Sequence, residues 1–262
     1  MRTTMTKAIS NLPALLALSA SLRAARTRRG MGLRRLADKL GVQAQMLSLW
    51  ETGKRPPALE EVAHILGFLQ VDATEYDRVM QLRYRLDSPN LFEISGADSF
   101  ALQRIFEDIA VRVLEWAPHI IPELLQTPDY TRAILHGRAV LPDDLDQELF
   151  ARQVRQLDRR PTCPQTILLG EPAVQADFGS QLNGAAASHR HLNLKIVPAS
   201  ACEAGVIEPF RIYETAGKVF TVALLHFHNT VFVTEPDAVE RYRSTFRKLE
   251  LDAFEYQAFE PR

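Results

Sequence analysis

The feature that most constrains the fold is a set of small and apolar residues at positions 33–56. Leu36, Ala37 and Leu40 have the spacing of one helical face, and the glycine and valine that follow them fit a tight turn. The next segment has a similar arrangement, with the apolar pair Met46 and Leu47, then Trp50 and a second glycine, Gly53. A small side chain at Ala37 lets two helices cross closely. The pattern therefore predicts two short helices packed across a tight turn.

The surrounding region is typical of a run of short helices. Glycines and prolines divide it into pieces with helical apolar spacing, and five short helices fit between residues 14 and 86. The dividing residues are Gly30, Gly41, Gly53, Pro56, Pro57 and Gly67. The sequence predicts an all-α N-terminal domain at residues 14–86, preceded by a mobile tail at residues 1–13.

Charge is distributed unevenly along the chain. The first 60 residues contain eleven basic and three acidic residues, whereas the other 202 contain twenty basic and twenty-nine acidic residues. The overall net charge of -1 hides this asymmetry. A basic head on an acidic body indicates that the N-terminal part binds a polyanion.

Residues 33–56 resemble the lambda-repressor-like, or XRE, helix-turn-helix family. The shared pattern is Leu-Ala, Leu-Gly-Val, Glu-x-Gly and a basic residue followed by proline. Two positions depart from it: Gly32 replaces the usual Ser or Thr cap, and Leu49 stands where a polar or basic residue is common. The resemblance implies a DNA-binding transcription regulator whose second motif helix enters the major groove.

Carried over position by position, the resemblance implies which residues face DNA. The residues implied to contact base edges are Gln43, Ala44, Gln45, Ser48 and Leu49. Gln45 can form two hydrogen bonds with adenine, and Ala44 or Leu49 can touch a thymine methyl group. The residues implied to contact phosphates are Arg23, Arg34, Arg35, Lys54 and Arg55, with further positive charge at Arg26, Arg28 and Arg29. Glu51 is interpreted as a structural residue at the helix end.

The pattern of apolar residues changes after a polar stretch at residues 87–98, which is interpreted as a linker. Helices are predicted at residues 98–116, 122–135, 143–160 and 236–254. Short apolar runs predict strands at residues 166–169, 194–197, 210–213, 219–225 and 230–234, with a hairpin turn at 226–229. The fold class predicted for residues 99–262 is therefore an α+β domain with a mostly antiparallel sheet, whose first half is helical.

Residues 115–130 resemble the opening of an uncharacterised C-terminal domain of actinomycete XRE regulators, often described as antitoxin-like. The shared run is Leu-Leu-Gln-Thr, an acidic residue and Tyr, with Glu123 in place of the family's glycine. The resemblance continues to about residue 255 and implies a regulator commonly encoded beside a very small partner protein, with a suspected effector. Trp116, Gln126 and Tyr130 are the candidate ligand or partner contacts. The alternative is that Gln126 and Thr127 satisfy backbone groups.

Residue patterns typical of enzymes are scarce. The sequence contains no Gly-rich phosphate loop, nucleophile elbow or His-Glu-x-x-His motif. Two histidine pairs, His189 with His191 and His226 with His228, lack a carboxylate or cysteine at metal-ligand spacing. Two cysteines favour reduced thiols in a cytosol, and no apolar run is long enough for a membrane span. We expect a cytoplasmic non-enzyme without metal or cofactor.

Together these features predict a sequence-specific regulator of transcription. Regulators of this type usually bind as homodimers, with two recognition helices about 34 Å apart on double-stranded DNA. The C-terminal domain is expected to mediate dimerisation and to sense a small-molecule effector or bind a small partner protein. The alternative function is that of an antitoxin-like module that acts mainly by sequestering a small partner protein.

Overall fold

The structure is a computed structural model that describes residues 11–86, 91–137, 149–150, 163–175, 191–201, 208–226 and 229–255. The chain divides into two compact units. The first contains Met1–Leu102 and Phe232–Glu235, and the second contains Gln103–Val231 and Pro236–Arg262.

The first unit begins with five helices, as the sequence predicts. They are α1 (Leu12–Arg28), α2 (Leu33–Leu40), α3 (Ala44–Glu51), α4 (Leu59–Phe68) and α5 (Ala73–Arg85). Helix α1 begins slightly before the predicted helical region because Asn11 caps it, accepting a hydrogen bond from the Ala14 N–H at 3.2 Å. Pro13 lies in the first turn, where its missing N–H costs no hydrogen bond. The Asn11 side chain also donates to the carbonyl of Arg85, which ties α1 to the end of α5.

Helix α1 lies at the centre of the helical region. It packs against α3, α4 and α5, and its apolar side chains are buried along most of its length. The buried side chains that fill this core include Leu15, Leu18, Leu22, Leu36, Leu47, Val62, Leu66 and Val79. The core holds α2 and α3 in a fixed arrangement, which the candidate site requires.

The stretch at residues 87–98, predicted as a linker, contains regular structure in its described part. Strand β1 occupies Leu91–Ser95, and helix α6 (Gly96–Ile109) begins before the predicted start at Asp98. The predicted helix at 98–116 is wrong in its second half, because α6 ends at Ile109 and strand β2 occupies Ala110–Ala117. Val113, Glu115 and Trp116 are all buried, and a strand buried on both faces lacks the alternating pattern that distinguishes it from a helix.

The predicted helix at 122–135 is divided in two. A 3-10 turn occupies Glu123–Leu125, and helix α7 occupies Pro128–Gly137. The break falls at Thr127 because the residue before a proline disfavours the helical conformation, whereas proline suits the first position of a helix. Of the predicted helix at 143–160, residues 149 and 150 are described and helical, and the rest lies outside the described residues.

All five predicted strands are present. They are β3 (Gln165–Gly170), β4 (Leu192–Val197), β5 (Phe210–Thr215), β6 (Val219–Leu225) and β7 (Asn229–Val233). Elements between and after them are the short helix α8 (Glu171–Gln175), a 3-10 turn (Ala199–Ala201), helix α9 (Pro236–Asp252) and strand β8 (Phe254–Glu255). At the predicted hairpin, the His226 N–H donates to the Asn229 carbonyl at 3.0 Å.

The eight strands form one sheet in the order β1-β7-β6-β5-β2-β3-β4-β8. Strand β2 pairs in parallel with β3, and β3 with β4. The pairs β2–β5, β5–β6 and β4–β8 are antiparallel. The chain is thus a helical N-terminal region followed by an α+β region with a mostly antiparallel sheet, which confirms the predicted fold class.

Helices cover both faces of the sheet in the second unit. On one face Phe106 of α6 stacks on Tyr213, with ring centroids 5.1 Å apart. On the other face Tyr242 of α9 meets the edge of Phe210 at 5.0 Å. These aromatic contacts bury apolar surface on both faces of β5. No helix within the described ranges is long and apolar enough to cross a membrane.

Candidate nucleic-acid interface

The turn between α2 and α3 has the geometry that the glycine pattern predicts. Gly41 ends α2 with a φ of 69°, in the left-handed region that glycine adopts most readily. The Val42 N–H donates to the Ala37 carbonyl at 3.0 Å, which closes the end of α2. Ala37 is fully buried where α2 contacts α3. The two helices therefore form a compact helix-turn-helix.

Helix α3 buries one face and leaves the opposite face accessible. Leu47, Trp50 and Glu51 are buried. Of the five residues predicted to contact bases, Gln43 and Gln45 are exposed, whereas Ala44, Ser48 and Leu49 are half-buried. The structure brings all five together at the start and along the outer side of α3, and their contact with bases stays a prediction.

A buried ion pair fixes the end of α3. Arg26 donates from Nε to Glu51 Oε1 at 2.7 Å and from Nη2 to Glu51 Oε2 at 2.8 Å. Its Nη1 donates to the Met31 carbonyl at 2.7 Å. The hydrogen bond and the negative charge of Glu51 raise the pKa of Arg26 against the opposing effect of burial. Glu51 therefore has the structural role inferred from the sequence.

The other two arginines at the end of α1 also make contacts within the domain. Arg28 forms an ion pair with Glu75 of α5. Arg29 donates to the carbonyls of Leu69 and Gln70, in both cases at 2.6 Å. Arg26, Arg28 and Arg29 are thus engaged inside the helical domain and are not freely available as further positive charge. The burial of Arg26 has a signal in the sequence, because it follows Leu22 by four residues and so shares its helix face.

The five predicted phosphate contacts differ from these three arginines. All five side chains are exposed. None of them forms an ion pair or side-chain hydrogen bond within the described part of the chain. They are Arg23 on α1, Arg34 and Arg35 in the first turn of α2, and Lys54 and Arg55 after α3. Gly32 gives α2 no side-chain cap, so the N–H groups beside Arg34 and Arg35 add positive potential.

The basic segment after α3 is held by a second glycine. Gly53 has a φ of 68°, and a Cβ atom there would lie 3.0 Å from Cδ2 of Leu16. The left-handed conformation favours glycine, and a Cβ atom here would also force the Leu16 side chain to shift by a few tenths of an ångström. The N–H groups of Lys54 and Arg55 donate to the Leu49 carbonyl at 3.0 and 3.2 Å. The two cations therefore follow the end of α3 in a fixed turn.

The candidate ligand residues of the C-terminal region lie in two places. Trp116 is fully buried in β2. Gln126 donates from Nε2 to the Ile121 carbonyl at 2.6 Å and accepts from the Thr131 hydroxyl at 3.2 Å, while the Tyr130 hydroxyl accepts from the Ile121 N–H at 3.3 Å. These bonds satisfy backbone groups of the proline-framed segment, as the structural alternative expects. A ligand role for Trp116, Gln126 and Tyr130 stays a prediction.

Sequence reasoning missed a buried ionic group in the sheet. Arg211 of β5 donates from Nη2 to Glu115 of β2 at 2.9 Å, and from Nη1 to Glu107 at 3.0 Å and to the Tyr213 hydroxyl at 3.2 Å. Burial lowers the pKa of Arg211, but its interactions with Glu115, Tyr213 and Glu107 raise the pKa by more. The pKa therefore lies well above its ordinary value. Charged residues inside the apolar runs of β2 and β5 were the available signal. Across the described ranges, no three His, Cys, Asp or Glu residues are grouped as metal ligands.

Comparisons with known proteins identify two matching family models in the chain. Residues 102–258 match the family model of a domain of unknown function, DUF5753, and residues 22–76 match the helix-turn-helix family model. These matches confirm the helix-turn-helix resemblance and a shared C-terminal domain, while the antitoxin-like character and the actinomycete origin stay predictions. No curated protein matches the chain.

Two solved structures show partial similarity. One is the clp gene regulator ClgR from C. glutamicum, with 27% identity over 29% of this chain and 94% of that chain, and a TM-score of 0.24. The other is TrmBL2, an archaeal chromatin protein whose structure shows a novel mode of DNA binding. It has 13% identity over 73% of this chain and 65% of that chain, with a TM-score of 0.34. At these TM-scores neither structure carries an argument about this chain.

Proposed function

Because the chain belongs to the DUF5753 family and carries a helix-turn-helix before that domain, we propose that it is a sequence-specific DNA-binding regulator of transcription. The observation that carries this proposal is a set of five exposed cations, on α1, in the first turn of α2 and after α3, that form no ion pair or side-chain hydrogen bond with any described residue. Three other arginines of the same domain are used for internal contacts. The five exposed cations make no such contacts among the described residues, so they are available to bind phosphates.

The arrangement of these groups supports binding to a duplex. Cations at the first turn of α2 and after α3 flank the outer face of the recognition helix, as phosphate contacts flank base contacts in helix-turn-helix complexes. Each phosphate contact releases counterions, so affinity falls as salt concentration rises. In this proposal Arg23, Arg34, Arg35, Lys54 and Arg55 position the protein, and residues of α3 select the sequence.

We extend the proposal to the C-terminal domain and to the assembly. Residues 14–86 form the DNA-binding domain, and residues 99–262 mediate dimerisation and sense a small molecule or bind a small protein. The regulator works in the cytoplasm as a homodimer and without catalysis of its own. The family resemblance of the Leu-Leu-Gln-Thr segment supports the role of the C-terminal domain. An antitoxin-like function would instead require a stable complex with a small protein in the absence of DNA.

The experiment that tests the proposal is fluorescence anisotropy of the purified full-length protein over a salt series. The probe is DNA from upstream of its own gene, and the control is the same DNA with its sequence scrambled. We expect a preference for the upstream DNA of about a thousandfold, with affinity that falls steeply as salt rises. Equal and weak affinity for both DNAs would contradict a sequence-specific regulator.

A further inference from the structure

The outer face of α3 carries no charged side chain. Of the eight residues of this helix, only Glu51 is ionised, and it is buried against Arg26. Arginine and lysine make the commonest specific contact with guanine, through its O6 and N7 atoms. A recognition helix without either residue therefore lacks the usual means of selecting G·C base pairs.

Gln45 and Leu49 are the residues most opposed to the buried face of α3. They are four positions apart, so they neighbour each other on one side of the helix. Two further side chains on the accessible surface, Thr52 and Ser48, discriminate little between bases. The Thr52 hydroxyl donates its hydrogen to the Ser48 carbonyl at 2.7 Å. The Ser48 hydroxyl can contact either kind of base.

The chemistry of this residue pair matches adenine and thymine. The Gln45 amide offers one acceptor and two donors, which fit the N6 donor and N7 acceptor of adenine. The Leu49 side chain offers only apolar surface, which fits the C5-methyl group of thymine. Four helical residues span about 6 Å, and two base-pair steps span about 7 Å, so the two contacts fall on base pairs about two steps apart when α3 follows the groove.

We propose that α3 selects a core with two A·T base pairs about two steps apart, with Leu49 detecting the thymine methyl group and Gln45 detecting adenine. The inference rests on the proposed DNA-binding function and names the sequence class that this function reads. It makes Leu49 a specificity-determining residue at a position where this helix-turn-helix family commonly has a polar or basic one.

The test uses the full-length protein and requires no previous knowledge of the operator. Selection from random duplexes gives the preferred half-site, in which we expect two A·T pairs about two steps apart at the centre. Each thymine of that half-site is then replaced in turn by deoxyuridine, which lacks the methyl group and keeps the O4 acceptor. We expect one thymine position at which the Kd rises about fourfold, the value of one lost buried methyl group.

Substitution of Leu49 assigns the effect to this side chain. We expect Leu49→Ala to bind the thymine and deoxyuridine duplexes with equal Kd. The matched control is Leu251→Ala, which removes a leucine that is 86% exposed on α9 and should preserve the fourfold difference. Circular dichroism checks that both variants fold. If Leu49→Ala does not fold, the deoxyuridine series on the unaltered protein decides alone.

The outcomes separate this inference from the proposed function. A half-site with a G·C core, or specific binding that no deoxyuridine replacement weakens, would overturn the inference and leave the regulator standing. Binding without any sequence preference would overturn both.

Discussion

The Arg26–Glu51 pair places two charges in the core of the helical domain, where it joins α1 to the end of α3. The side chains are 11% and 3% exposed. Removal of one partner leaves the other charge buried alone, which costs about 3–5 kcal/mol. We expect Arg26→Met to lower the free energy of unfolding by about 3 kcal/mol, measured by urea denaturation with the fluorescence of the adjoining Trp50.

Two further variants establish that the loss comes from the pair. Arg23→Met alters an exposed arginine of the same helix and should change the free energy of unfolding by less than about 0.5 kcal/mol. The double variant Arg26→Met with Glu51→Leu removes both charges and should recover much of the stability. Equal stability of the Arg26 and Arg23 variants would show that the ion pair contributes nothing to the fold.

Arg35 represents the opposite case, a cation that the domain does not use. Its side chain is exposed and has no partner among the described residues. We expect Arg35→Ala to weaken binding to all DNA sequences alike and to reduce the slope of log K against log salt by about 1. The measurement is anisotropy over a salt series, with Arg132→Ala as the control in α7. An unchanged slope would remove Arg35 from the phosphate contacts.

At the scale of elements, the sequence predicted the parts that local chemistry determines. Gly41 and Gly53 mark turns that need a left-handed backbone conformation. The positions of these two glycines therefore located the ends of α2 and α3. Strand β2 could not be located in this way. It lies between β5 and β3 with both faces covered, and its buried Glu115 satisfies neither the helical nor the alternating pattern. The hydrogen-bond partner of Glu115 is Arg211, which is 96 residues away in the chain.

Prediction from sequence had the same limit at the candidate interface. The spacing of the base-contact and phosphate residues along α1, α2 and α3 was enough to predict that they lie on accessible surface. The sequence did not show that Arg28 and Arg29 are used in internal contacts, although the burial of Arg26 had a signal in the helix face that it shares with Leu22. Which guanidinium groups are free depends on tertiary partners such as Glu51 and Glu75.

The ionic group in the sheet gives the second unit a pH dependence. Burial raises the pKa of Tyr213, and the nearby Arg211 only partly offsets this effect. Because the pKa is higher in the folded than in the unfolded protein, where it is about 10, the stabilising contribution is complete below that pH. It is lost as the pH rises from about 10 toward the folded value, with a slope of up to about 1.4 kcal/mol per pH unit.

This dependence can be measured by urea denaturation between about pH 8 and pH 11. We expect Tyr213→Phe to remove the contribution of one proton from the slope above about pH 10, because phenylalanine cannot ionise. Tyr84→Phe is the matched control, since its ring is 52% exposed and should leave the slope unchanged. The same slope in the Tyr213 variant and in the unaltered protein would assign the loss of stability to other groups.

At the scale of the whole molecule, the basic N-terminal 60 residues and the acidic remainder favour one orientation toward DNA. The acidic remainder is repelled by phosphates, so the helical domain meets the duplex first. In the proposed complex one α3 contacts only a few base pairs, and a homodimer would double this number. Its two recognition helices require half-sites about 34 Å apart, or about ten base pairs.

Half-site spacing therefore tests the assembly directly. Insertion of five base pairs between the half-sites rotates one of them by about half a turn of the duplex, to the opposite side. We expect the affinity to fall to that of a single half-site, whereas a change of the central bases at constant length should preserve most of it. Anisotropy measures the affinity, and sedimentation equilibrium measures the mass of the free protein. A monomer whose affinity is insensitive to spacing would show that each copy binds alone, and the selectivity of α3 would then set the specificity of the entire protein.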